Sequence, residues 1–196
     1  MPGSIASASP ATVLPENLCS AFTHSRSYRC LINEYPSGET QREKFTETSR
    51  KRWSLTRNLG KLSGTVNTSG TTISWQSGQQ FEFAWAGCNI TINGSAYEVD
   101  SVESATSLTL TETAGTQTGV TFYVWAADVL RAFYLARDGP MEPFWYYDPW
   151  DASPKFSYDP TGASATGRYT VRFDSPWTES TGLARTQVQL ELVEVA

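Results

Sequence analysis

Residues 126–151 read AADVLRAFYLARDGPMEPFWYYDPWD, and their interpretation decides the fold. Val129, Leu130, Phe133 and then Ala136 or Arg137 recur at helical spacing, and Gly139-Pro140 supplies a stop. This is the one convincing helix in the chain. Behind the stop, five aromatic residues fall within seven positions: Phe144, Trp145, Tyr146, Tyr147 and Trp150, with Asp148 and Asp151 among them. Pro140, Pro143 and Pro149 punctuate the run. Proline cannot donate to a strand ladder, so the run belongs to a sheet edge or an ordered loop, not to a central strand.

Both directions from this stretch lead into strands. Downstream, GRYTVRF sets Tyr169, Val171 and Phe173 on one face, and TQVQLELVEV aligns Val188, Leu190 and Leu192. The phase slips at Val193, which requires a bulge or cover on both faces. Upstream, residues 60–123 are dominated by Thr, Ser and Gly with alternating apolar positions. GTVNTSGTTISW reads as two strands about a Ser-Gly turn. NITINGSAYEV carries Asn93-Gly94, the strongest hairpin signal, which sets Ile92 opposite Ser95, Ile90 opposite Tyr97 and Cys88 opposite Val99. SLTLTET and GVTFYVW add two more strands, so this segment predicts a small closed barrel or sandwich.

Earlier still, SRKRWSLTRNL alternates, with Trp53, Leu55 and Arg57 on one face of a half-buried strand. The basic run RKRW reads as a solvated strand end. CLINEYPSGETQREKF predicts a strand, a Pro-Ser-Gly turn and a charged second stretch, and the first dozen residues an arm or extended strap. The outer parts, 1–58 and 125–196, share a more aromatic, Arg-rich style. Residues 59–124 read as an all-β module inserted into one of their loops.

Composition narrows the function classes. The 196 residues are 39% hydrophobic, 13% aromatic and only 18% charged, enough for a sizeable core. A net charge of −5 argues against nucleic acid as a sequence-specific partner. Cys19, Cys30 and Cys88 are odd in number and lack metal-ligand spacing; they read as reduced thiols, with a Cys19–Cys30 bridge as the unsupported alternative. The start lacks the pattern of a signal peptide, and nothing approaches a membrane span, so no membrane insertion is expected.

Catalytic chemistry finds little footing. Glu142, Asp148, Asp151 and Asp159 lie close in sequence, as a glycosidase would need. However, Asp148-Pro149 and Asp159-Pro160-Thr161-Gly162 are also turn sequences in which Asp caps the backbone. The one histidine, His24, stands among polar residues and reads as a surface or interface residue. With no phosphate loop, metal spacing or nucleophile motif, no cofactor, metal or catalytic residue is assigned, and the chain is read as a non-enzyme. The aromatic run Phe144, Trp145, Tyr146, Tyr147 and Trp150 is read as core or interface, with Phe144, Trp145 and Tyr147 filling a helix–sheet or subunit contact. In the inserted module, Phe81, Phe83 and Trp85 alternate along one strand face beside Trp75. That face is read as module core, or as an outward recognition surface.

Taken together, RWSLTRNL, LRAFYLARDGPMEPFWYYDP, KFSYDPTG, GRYTVRF and the closing VQLELVEV resemble the distal-tail, or minor tail, proteins of long-tailed bacteriophages. EPFWYYDP at 142–149 matches the family's aromatic run ending in Asp-Pro. The resemblance covers roughly two thirds of the chain, and the 59–124 module is a departure from simpler members. It implies a mainly β fold, a tail-tube-like sandwich or split barrel with one helix, assembled as a ring, by implication a hexamer. The implied partners are copies of itself, the tail tube protein and the hub or other tail-tip proteins. The implied place is the tail tip of the virion, after synthesis in the host cytoplasm. The alternative is a carbohydrate-binding module for host surface glycans, using the 144–150 rings or those of 81–85.

Overall fold

The computed structural model describes residues 12–15, 19–27, 30–44, 49–151, 158–182 and 185–195, with the backbone alone at 19–22, 30–34, 40 and 42–44. In chain order the strands are β1 (Cys19–Ser27), β2 (Cys30–Glu34), β3 (Thr40–Lys44), β4 (Arg50–Leu59), β5 (Lys61–Ser69) and β6 (Thr72–Gly78). A short 3₁₀ turn (Phe83–Trp85) precedes β7 (Asn89–Ile92), β8 (Ser95–Ser104), β9 (Ser107–Leu110) and β10 (Thr116–Trp125). The helix α1 (Ala126–Ala136) then leads to β11 (Phe144–Tyr147), β12 (Arg168–Phe173), β13 (Thr178–Thr181) and β14 (Thr186–Glu194). Among the described residues the chain is mainly β with one α-helix, as its sequence predicts.

The strands of the predicted inserted module close into a barrel, β10-β5-β6-β9-β8-β7. Its hairpin register is the predicted one: Ile92 pairs with Ser95 and Ile90 with Tyr97, and Val99 N donates to Cys88 O at 2.9 Å. Asn93 and Gly94 both take positive φ, 48° and 84°, which a tight hairpin turn with the right twist requires. Val66, Ile73, Ile90, Ile92, Leu108 and Phe122 fill the interior.

The other strands form a sheet ordered β1-β4-β14-β12-β11, with β13 beside the first half of β14. Period-two alternation buries Lys51, Trp53, Leu55, Arg57 and Leu59 of β4 on one face, and Val188, Leu190 and Leu192 of β14 lie on the same side. Helix α1 covers this face through Ala126, Ala127, Leu130 and Phe133. At Val193 no bulge is needed: β14 stays in register, and Val193 is half-buried on the outer face between Arg52 and Arg172.

Barrel and sheet are joined at two adjacent points. Only Gly60 separates β4 from β5, and β10 runs directly into α1. Trp125 pairs with Lys61, and Ala126 N donates to Gly60 O at 3.0 Å, so entry and exit of the barrel lie side by side. Leu59 thus belongs to the sheet and Trp125 to the barrel, each one residue from the boundary read in the sequence. The helix serves both parts, since its Val129 points into the barrel core. The expected strand and turn are present as β2 and residues 35–39, and the charged stretch that follows is a second strand, β3, which pairs with β2 as a separate two-stranded sheet.

Candidate functional site

The aromatic run forms β11, the outermost named strand of its sheet, which is the edge position its prolines predict. A strap, Thr12–Pro15, crosses beyond it through a parallel bridge of Val13 to Trp145. Alternation divides the rings between two faces. Phe144 and Tyr146 point into the helix-covered core, with Phe144 4.6 Å from Phe173 and 5.2 Å from Phe133, and Tyr146 5.3 Å from Trp53 (ring centroids). Trp145 and Tyr147 lie on the opposite face, so of Phe144, Trp145 and Tyr147, expected in a helix–sheet or a subunit contact, only Phe144 meets the helix. Trp145 lies under the Arg168 guanidinium, 4.2 Å from its ring centroid, and Tyr147 donates to Ser164 O at 2.6 Å. Trp150, beyond the strand end, is 48% exposed and does not join the core.

The carboxylates behind the run are occupied. Asp148 is fully buried; its Oδ2 accepts from Lys51 Nζ and from Trp53 Nε1 (2.9 Å), and its Oδ1 accepts from Trp150 N (3.0 Å). It therefore caps the Asp-Pro turn, as predicted, and also neutralises a cation. Asp151 accepts from the same Lys51 Nζ at 2.6 Å and from Tyr169 Oη. Asp159 caps its own turn through Thr161 and Ser164. Lys51 is buried, which corrects the reading of RKRW as a solvated end: its phase on β4 is that of Trp53, and the buried Asp148 and the exposed Asp151 both meet its ammonium.

These pairings set the local electrostatics. Hydrogen bonds from Lys51 and then Tyr169 hold the Asp151 carboxyl below its ordinary value. Burial opposes the charge on Lys51, yet hydrogen bonds to Asp148 and Asp151 outweigh it and raise the ammonium above the usual lysine range. Burial, and secondarily its bond to Asp151, raises the Tyr169 phenol. Cys88, a buried free thiol, is pushed up to about 11 by burial and then by the charge of Asp128. The side chains of Cys19 and Cys30 fall outside the described residues. His24 is exposed on β1. Among the described residues, no group of three or more His, Cys, Asp or Glu is placed to hold a metal ion, and no helix is long and apolar enough to cross a membrane.

The segment expected to be a strand carrying Phe81, Phe83 and Trp85 is instead an extended entry followed by the 3₁₀ turn. Phe81 and Trp85, four residues apart, turn to one side and pack on Phe122 in the barrel core at 5.8 and 6.1 Å. Phe83 points the other way and is 56% exposed, while Trp75 is half-buried on β6. The four rings therefore share no common face.

Phe83 opens onto a cleft of about 420 Å³ where barrel, helix and sheet edge meet. Ala132, Phe133 and Ala136 line it from α1, Thr12 and Val13 from the strap, and Tyr158 and Pro160 from the turn before β12. Glu82 and Arg137 add one charge of each sign. Sequence reasoning identifies Phe83 alone of this set, because the lining comes from segments remote in the chain and no local pattern links them. No family model matches the chain, and no curated protein shows detectable similarity to it.

Proposed function

We propose that the chain is a structural subunit of a bacteriophage tail tip, closing with copies of itself into a ring that joins the tail tube to the central hub or fibre. The observation that carries this reading is the state of its strand edges. Among the described residues, β1 ends the sheet on one side, all four residues of β13 are exposed, and the β2–β3 hairpin pairs with no other strand. A two-stranded hairpin is marginal alone in water, and open edges recruit other strands. A closed ring supplies each edge with a neighbour. The family resemblance adds the sixfold count, the tail tube and hub as partners, and the tail tip of the virion as the location.

The role is mechanical. Asp148 and Asp159 accept hydrogen bonds at both oxygens and Asp151 accepts two at Oδ2, which suits turns and struts better than proton transfer. A carbohydrate platform finds less support: Phe81, Trp85, Phe144, Tyr146 and Tyr147 are buried, and the exposed Trp150 does not line the cleft of Phe83.

Native mass spectrometry with particle images tests the proposal, supplemented by amide exchange. The expected result is an annular particle of several copies in which the amides of β2 and β3 exchange slowly only after assembly. A monomer whose hairpin amides already exchange as slowly as those of β8 would have no edge left to satisfy, and the ring reading would fail.

A further inference from the structure

The cleft beside Phe83 is bordered by the strap, whose side away from β11 makes no main-chain hydrogen bond among the described residues. Trp145 N donates to Thr12 O at 2.9 Å, and Leu14 N donates to Trp145 O at 2.8 Å. In this parallel pattern the N–H and C=O of the intervening residue, Val13, point away from β11. Neither enters a main-chain hydrogen bond among the described residues, and Val13 lines the cleft. Three further features converge there. Phe83 is 56% exposed although its neighbours Phe81 and Trp85 are core residues. Ala132 and Ala136 leave room opposite it. Arg137 pairs through one terminal nitrogen with Glu142 at 3.1 Å, but its buried Nε has no hydrogen-bond partner among the described residues.

We propose that this cleft binds an extended peptide segment of a partner protein, added as a strand alongside the strap. One large apolar side chain of that segment packs on Phe83 over the two alanines, and an adjacent acidic side chain reaches Arg137. Strand addition draws affinity from main-chain hydrogen bonds and specificity from a side-chain pocket, and the cleft offers both. A saccharide could meet the Val13 N–H and C=O through its hydroxyls, but it lacks the strand register that would set one apolar side chain over Phe83 and an acidic one beside Arg137. The inference does not depend on the tail reading.

The full chain is used to select from a displayed library of random short peptides, with the Phe83→Glu chain as counter-selection. The enriched peptide is then labelled and titrated by fluorescence anisotropy. The expected consensus is a large apolar residue between β-branched residues, next to Asp or Glu. Val13→Pro removes an N–H that makes no main-chain hydrogen bond among the described residues, and it should weaken binding about five- to tenfold. Phe83→Glu should abolish binding. Arg137→Gln should weaken the acidic peptide several-fold and leave its Asn or Gln analogue unchanged. Should Val13→Pro disturb folding, Phe83→Ser, at an exposed position, replaces it as the stability-neutral variant. No enrichment over the counter-selection overturns the proposal. So does an enriched peptide indifferent to both Val13→Pro and Phe83→Ser, or a soluble oligosaccharide that binds through Phe83 while the peptides do not.

Discussion

Lys51 shows what one buried charge does to this molecule. Its side chain is 2% exposed, that of Asp148 is 0% exposed, and the Trp53 and Tyr169 rings flank the ammonium at 5.4 and 4.8 Å. Removing one partner of such a pair strands the other in a dry site, at a typical cost of about 3–5 kcal/mol. Lys51→Met should lower the stability measured by urea unfolding by that amount. The pH dependence follows from the directions of the shifts. Asp151 is depressed in the folded chain, so its contribution is present above the ordinary carboxyl value of 3.8 and is lost as pH falls through the folded value. Lys51 is raised, so its contribution holds below 10.5 and is lost as pH climbs through the folded value. Urea midpoints across the acid and alkaline limbs should fall less steeply in Lys51→Met than in the parent. Parallel curves would place the pH dependence elsewhere. The position was legible in principle: period-two alternation from Trp53 sets Lys51 inward, and only the weight given to its charge argued for solvent.

At the scale of elements, local chemistry was readable and long-range cover was not. Asn93-Gly94 dictates its own turn, so the β7–β8 register follows from a few adjacent residues. The apolar residues at 81, 83 and 85 fit a strand by alternation, and 81 and 85 equally fit one helical turn. A segment this short cannot separate the two periods, and the need to fill one end of the barrel decides. A second feature without a strong local signal is the crossing of β5 and β6, where Gly64 pairs with Gly78. A Cβ on Gly64 would meet Ser77 O at 2.1 Å and the Phe122 ring at 2.9 Å, and one on Gly78 would meet the Gly64 Cα at 2.5 Å. Backbone stands against backbone here, so no rotamer change relieves the clash. Gly64→Ala should therefore destabilise by about 1–3 kcal/mol or more, read as a lower urea midpoint. Gly70→Ala, where a Cβ meets nothing within 4 Å but φ is +64°, should cost about 1 kcal/mol through backbone strain alone. Equal losses at the two positions would mean that the close approach of the strands is not what limits Gly64.

Across the whole molecule, the barrel and the sheet have separate cores, yet a single helix is built into both. Leu130 and Phe133 of α1 pack with the sheet, Val129 packs with the barrel, and Leu62 and Ala84 touch the two clusters at once. The sequence displays the two parts by their change in composition, but hides this joint, because consecutive helical positions facing different cores look like one ordinary apolar stripe. The adjacent entry and exit of the barrel tighten the coupling: unfolding the sheet frees Gly60 and Ala126, whose hydrogen bond closes the barrel's end. Loss of either core thus exposes one side of α1 and weakens the other core. Calorimetry of the full chain should accordingly show one transition, with calorimetric and van't Hoff enthalpies in agreement. Val129→Ala removes barrel packing only and should cost about 1.5–2.5 kcal/mol. It should move that single transition to lower temperature without splitting it. Two resolved transitions, of which Val129→Ala shifts only one, would show the barrel to be an independent passenger, and the helix would then be a linker and not a shared wall.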